Sequence, residues 1–323
     1  MNTIDEKFMR RCLQLARNGR KNAKPNPMVG AVIVCDGKII GEGYHICCGK
    51  GHAEVNAFHS VSDKDGALLS KSTIYVSLEP CSHYGRTPPC ADLIINKGVK
   101  RVVVGCIDPF AKVQGRGIHK LRDAGIEVTV GVLNEECLDL NKWFITYNTH
   151  HRPYVILKWA QSVNGFIDDD FKPTEFSTPF TKMLVHKSRS ECDAILVGRI
   201  NDEREHPRLN VRDWSGKDPL RIVLDRNHPF SPDVDFDQPV IPQLMDHLYH
   251  QEIQSLLVEG GAYTHQAFIK SGIWDEIRVE QSPKSVRSGT RCAVLPSDLT
   301  LTERKGYDGN TISVYHRRTS ERE

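Results

Sequence analysis

His52-Ala53-Glu54, followed along the chain by Cys81 and Cys90, are the residues best suited to chemistry. One imidazole and two thiolates are ligand types that zinc takes, and three protein ligands leave a fourth tetrahedral position open, which marks a catalytic site. Zinc brings the pKa of its bound water down to about 7, and such a water needs a neighbour to carry its protons. Glu54, two residues past the histidine, suits that task as base toward the water and then acid toward a departing amine. The alternatives are that these residues simply pack in a core, or that His83 closes a structural zinc site as a fourth ligand.

Those residues have to be brought together by the elements around them. Thr3 to about Arg20 carries apolar residues at helical spacing, and Asp36-Gly37 joins two apolar runs, Val29 to Val34 and Lys38 to Gly43, as a hairpin. His52 to Ser60 reads as a helix, Thr73 to Ser77 as a strand, Pro88 to Lys97 as a helix and Arg101 to Gly105 as a buried strand. His52 and Cys90 therefore open successive helices, whose N-termini favour negative charge and help keep the sulfurs as thiolates. A helix from Gly117 to Ala124, a strand from Glu127 to Val130 and a single helix from Asn134 to about Tyr147 complete one α/β domain.

The polar joint His150-His-Arg-Pro153 ends it, so the expected domains are 1–150 and 151–323. Beyond the joint come a strand from Tyr154 to Ala160, a helix from Pro179 to Ser190, a run at 193–198, a strand at 220–224, the run 255–261 leading into a helix, and a late strand around 277–280, a second α/β domain. Only Arg317 to Glu323 reads as a frayed tail.

A 323-residue chain with 39% hydrophobic residues can bury two cores, and a net charge of only +2 lacks the basic stripe that a nucleic-acid partner requires. No apolar run is long enough for a membrane, and the charged N-terminus has no leader pattern. Ten scattered cysteines fit a reducing compartment, so the expected location is the cytoplasm.

H-x-E followed by P-C is the pattern of zinc deaminases, although here eight residues separate the cysteines. With Pro25-Asn-Pro-Met-Val-Gly30, Gly43-Tyr-His45, Glu79-Pro-Cys-Ser-His83, Gly85-Arg-Thr-Pro-Pro-Cys90, Asp108-Pro109 and Gly115-Arg-Gly-Ile118, the first domain resembles the bifunctional deaminase-reductases of riboflavin biosynthesis. The resemblance implies a cytidine-deaminase-like three-layer fold. It also implies a first reaction that hydrolyses the 2-amino group of 2,5-diamino-6-ribosylamino-4(3H)-pyrimidinone 5′-phosphate. His52, Cys81 and Cys90 would hold Zn²⁺ and Glu54 would be catalytic. Asn26, His45 and Glu79 would contact the pyrimidine, His83 and Arg86 the phosphate, and Asp108 would also bind substrate. Phe110 stands where the family often has Asn.

The resemblance continues through Lys158-Trp-Ala-Gln-Ser-Val-Asn-Gly165, His186-Lys-Ser-Arg189, Pro207-Arg-Leu-Asn-Val-Arg212 and Val258-Glu-Gly-Gly261. It implies a dihydrofolate-reductase-like domain in which NADPH reduces the ribosyl group to ribityl. Arg189, Leu209, Arg212 and Glu259 would bind substrate; Ala160, Asn201, Glu205, Gly260 and Gly261 would bind cofactor. Glu175-Phe-Ser177, Asn201, Glu205 and Arg287 depart from the family pattern, Arg199 and Arg204 add charge, and the segment from Arg226 to Val258 is short, which implies loss of a strand-helix connection. These departures set a second reading beside the first: a deaminase whose second domain serves structure or dimerisation. A small-molecule nucleotide as partner and a homodimer through the second domain follow from the resemblance; nucleic acid and membrane do not. Two other classes compete, a nucleic-acid deaminase and a zinc-stabilised scaffold, and the scaffold leaves Glu54 without a purpose.

Overall fold

A computed structural model of the chain describes residues 3–84, 88–109 and 114–318, which divide into two compact units at His150/His151. In the first unit, helix α1 (Thr3–Ala16) precedes the hairpin of β1 (Gly30–Cys35) and β2 (Lys38–Tyr44). The hairpin turns through Asp36 and Gly37, both at positive φ (48° and 76°), the geometry that matches strand twist in a two-residue turn. Then follow α2 (Ala53–His59), β3 (Thr73–Leu78), α3 (Cys90–Lys97), β4 (Arg101–Cys106), α4 (Arg116–Asp123), β5 (Glu127–Val130), α5 (Asn134–Leu140) and α6 (Lys142–His150). The five strands lie in the order β2-β1-β3-β4-β5, antiparallel through β1 and parallel from β3 to β5.

Alternation along these strands splits the apolar residues between two helical layers. Val32, Val34, Tyr75 and Val103 face Phe8, Met9 and Cys12 of α1 and Cys137 and Leu140 of α5. Ala31, Ile33, Ile74, Val76, Val102 and Val104 face α2, α3 and α4 through Ala53, Ala57, Ala91, Ile94, Ile118 and Leu121. A sheet buried on both faces in this way reads as nearly continuous apolar runs.

The single helix expected from Asn134 to Tyr147 is two helices, α5 and α6, broken at Asn141. The Asn141 amide accepts from Met28 N (2.8 Å) and donates to Met28 O (2.9 Å), a tertiary pairing that outweighs continuation of the helix.

The second unit runs β6 (Tyr154–Gln161), α7 (Pro179–Glu191), β7 (Ala194–Gly198), α8 (Arg199–Glu205), β8 (Leu220–Leu224), α9 (Val240–His250), β9 (Ser255–Val258), α10 (Ala262–Ser271), β10 (Glu276–Gln281), β11 (Leu299–Tyr307) and β12 (Asn310–Arg317). Its sheet order is β11-β12-β10-β6-β9-β7-β8, with β10 through β8 parallel and β12 antiparallel to both its neighbours. Thr178 caps α7 in a capping box with Thr181, and Pro179 occupies its first turn.

The short segment before Glu259 carries one helix between β8 and β9: α9 presents Ile241, Leu244, Met245 and Leu248, at helical spacing, to the core of this unit. One expectation is corrected here: Arg317, expected to begin a frayed tail, ends β12 and pairs with Leu299 in the β11-β12 hairpin, whose outer strand is so exposed that no clean alternation marks it.

Candidate active site

In the first unit, His52 sits at the N-cap of α2 and Cys90 opens α3, while Cys81 lies in the segment leaving β3. One ligand atom from each lies within 4.8 Å of the others. His52 Nδ1 is 3.5 Å from Cys81 Sγ and 3.3 Å from Cys90 Sγ. Tetrahedral zinc holds such nitrogen and sulfur atoms about 3.5 Å apart, so donor types and spacing both fit it. The first N–H of α3, from Cys90, donates to Cys81 Sγ at 3.3 Å, so the helix end serves the sulfur directly. A hydrogen bond between the two thiols lowers Cys81 to about 4 and raises Cys90.

Glu54, in the first turn of α2, is 3% exposed, and burial with the neighbouring Cys81 sulfur pushes its carboxyl up to about 7. A cavity of about 240 Å³ runs over these groups, lined also by Asn26, His45, Glu79, His83 and Asp108. Phe144 and Asn148 of α6 line it as well; neither stands in a chemical motif, and only the break at Asn141 brings their helix here. Arg86 and Phe110 lie outside the described residues.

Two of the expected substrate contacts also bond within the protein. His45 Nδ1 donates to Gly51 O at 3.2 Å, which makes Nε2 an acceptor for Asn26 Nδ2, also at 3.2 Å. Burial lowers the His45 pKa and favours that neutral form. The pair leaves the Asn26 amide oxygen as the acceptor offered to the cavity. Each Glu79 carboxylate oxygen accepts two backbone N–H groups, from Asp108 and Gly115 on one and from Gly117 and Ile118 on the other. Those bonds use the acceptor capacity expected for the pyrimidine.

The second unit holds two adjoining cavities. One, of about 350 Å³, is lined by Ala160, Arg189, Asn201, Glu205, Arg212, Glu259 and Gly261 of the expected residues, and by Lys158, Lys182, His186 and His265. The other, of about 950 Å³ and mainly apolar, shares Asn201, Glu205 and Gly261 with it and extends along Leu224, Phe236 and Ile241. Arg189 grips Glu259 with both fork nitrogens, at 2.6 and 3.1 Å. Burial raises the Glu259 pKa, but the Arg189 charge and hydrogen bonds outweigh it and hold the carboxyl below its usual range.

Leu209 and Gly260 line neither cavity. Leu209 is 3% exposed. A Cβ on Gly260 would stand 2.6 Å from Gly198 N, so this glycine is required by strand-to-strand approach. The charge of Glu175 is met by Lys182, and Lys284 donates to the Glu175 carbonyl.

A three-layer α/β unit with a histidine-cysteine zinc cluster, joined to a mainly parallel α/β unit with a two-part cleft, defines a two-domain zinc deaminase and reductase. The cytidine and deoxycytidylate deaminase zinc-binding region matches residues 2–106, and the RibD C-terminal domain matches residues 153–296. Riboflavin biosynthesis protein RibD of Aquifex aeolicus is 39% identical over 320 residues, covering 88% of this chain and 89% of that protein. The RibD of Escherichia coli K12 is 36% identical over 334 residues, covering 89% and 90%. The crystal structure of a diaminohydroxyphosphoribosylaminopyrimidine deaminase/5-amino-6-(5-phosphoribosylamino)uracil reductase from Thermotoga maritima superposes with a TM-score of 0.87 at 34% identity, over 97% of this chain and 99% of that one.

The chain belongs to the RibD family. It is an enzyme of riboflavin biosynthesis with a zinc-dependent deaminase unit and an NADPH-dependent reductase unit. The match runs through both units and gives no support to a second unit kept as a scaffold. No described helix is long and apolar enough to cross a membrane.

Proposed function

We propose that the first unit hydrolyses the 2-amino group of 2,5-diamino-6-ribosylamino-4(3H)-pyrimidinone 5′-phosphate to a carbonyl, and that the second reduces the ribosyl group of that product to ribityl. The observation that carries this reading is the cluster of His52, Cys81 and Cys90 beside buried Glu54 on one small cavity. Zinc held by those three residues would supply Lewis acidity that lowers the pKa of water.

Glu54 takes the proton of the attacking water, then returns protons to the ring nitrogen and the departing amine, so that water enters and ammonia leaves. The Asn26 oxygen, fixed by His45, accepts from a ring amino group, and Asp108 supplies a second acceptor. His83 and Arg86 take the 5′-phosphate.

In the second unit, Arg212 with Lys158 lends positive charge to the substrate phosphate, while the Arg189–Glu259 pair orients the sugar. The larger cavity would hold NADPH, with Asn201, Glu205 and Gly261 at the lip it shares with the smaller one, and the cofactor would supply the hydride. Ala160 leaves the backbone at the cavity wall uncrowded, while Leu209 and Gly260 support that wall from behind. The enzyme acts in the cytoplasm as a homodimer formed through its second unit.

Glu54→Gln tests the deaminase assignment: about one zinc per chain by elemental analysis with deamination down by roughly 10² to 10⁴. Retained turnover would exclude Glu54 as the proton carrier, and Cys90→Ser should lose both metal and turnover.

A further inference from the structure

We infer that Glu79 is a positioning residue, one that sets Asp108 against the substrate and locks it to the Cys81 segment; the inference rests on the reading of the first cavity as the deaminase site. Glu79 is 4% exposed and directly follows β3, with its own N–H bonded to Cys106 O at 3.0 Å. It therefore belongs to the rigid sheet, and Cys81 follows two residues later.

The Glu79 carboxylate gathers Asp108 N (3.3 Å) and Gly115 N (2.9 Å) on one oxygen and Gly117 N (2.9 Å) and Ile118 N (3.3 Å) on the other. Four converging N–H groups need an acceptor-only side chain, which Glu is and Gln is not. The residue at the α4 N-cap, Gly115, has φ 80° and no side chain to cap with, so Glu79 supplies from the sheet the cap that the helix lacks. A Cβ on Gly117 would strike the Pro80 carbonyl, so the first turn of α4 lies hard against the backbone that delivers Cys81. One carboxylate thus fixes three things to the end of β3: Asp108, which lines the cavity, the start of α4, and the approach to a metal ligand.

A double-mutant cycle separates positioning from contact. Glu79→Gln is expected to keep about one zinc per chain and raise the KM of the pyrimidine nucleotide roughly tenfold, with a smaller change in kcat. Added to Asp108→Ala, it is expected to raise KM no further, because the group it positions has gone. A Glu79→Gln effect that multiplies undiminished in the Asp108→Ala background would overturn the inference and return Glu79 to substrate contact. An unchanged KM in Asp108→Ala alone would instead overturn the placement of substrate at this cavity.

Hydrogen exchange on the wild-type holoenzyme needs no variant to fold. The amides of Asp108, Gly115, Gly117 and Ile118 are expected to exchange as slowly as those of β4. Fast exchange at all four would overturn the clamp.

Discussion

At the scale of single residues, proximity to a charge or an amide decides what each polar group does. Arg189 and Glu259 are buried together, with side chains 11% and 10% exposed. Removing one partner leaves the other charged and unpaired in a site shielded from water. Arg189→Met is therefore expected to destabilise the second unit by ~3 to 5 kcal/mol and to abolish reduction, while Arg189 and Glu259 replaced together by Met and Gln recover much of the stability. Chemical denaturation of the two variants checks this: equal destabilisation would contradict a mutually dependent pair. The grouping of His52, Cys81 and Cys90 with Glu54 was legible from residue type and spacing. The work of Glu79 was not, because the amides it binds lie 29 to 39 residues away and backbone N–H groups carry no residue signature.

At the scale of elements, two buried polar contacts set expected stabilities. Asn141 joins α5 and α6 by its two bonds to Met28. Asn141→Leu removes both and leaves a backbone N–H and C=O without partners, which costs about 1 to 3 kcal/mol and lets Phe144 and Asn148 drift from the cavity. A lowered unfolding midpoint with a raised deaminase KM is the expected result.

His265 of α10 is 2% exposed, bonded to Val258 O at 3.1 Å and set against the Trp159 ring; burial lowers its pKa to about 4. The unfolded chain, with an ordinary histidine pKa of about 6.5, binds the proton first. Stability from this group is thus full above about 6.5 and falls by ~3 kcal/mol as pH drops toward 4. His265→Gln, which keeps a donor for Val258, should flatten that part of the urea-midpoint profile between pH 7 and 4.5. An unchanged slope would place the pH dependence elsewhere. Strong apolar periodicity made most elements legible, whereas the break at Asn141 and the β11-β12 hairpin were hidden because tertiary hydrogen bonds and pairing form them.

At the scale of the whole molecule, the zinc cluster lies in one unit and both reductase cavities in the other. Removing zinc with a chelator should therefore abolish deamination and leave NADPH-dependent reduction of supplied deaminated product intact. Loss of both activities in separate assays would mean that the metal also supports the second unit.

The sequence by itself determined the deaminase chemistry, because zinc demands nitrogen and sulfur donors and a proton carrier that few residue types supply. The joint between the units was legible too, because His150-His-Arg152 offers no apolar side chain to either core and Pro153 ends a helix. Only the tertiary structure decided that the short segment before Glu259 keeps a helix and that Glu175 is met by Lys182. It alone decided that Glu79 faces amides and that His45 orders Asn26. The physical reason is common to all four: the outcome depends on which partner a group meets across long sequence distances, and burial makes that choice binding because an unmet polar group or unpacked apolar face is costly.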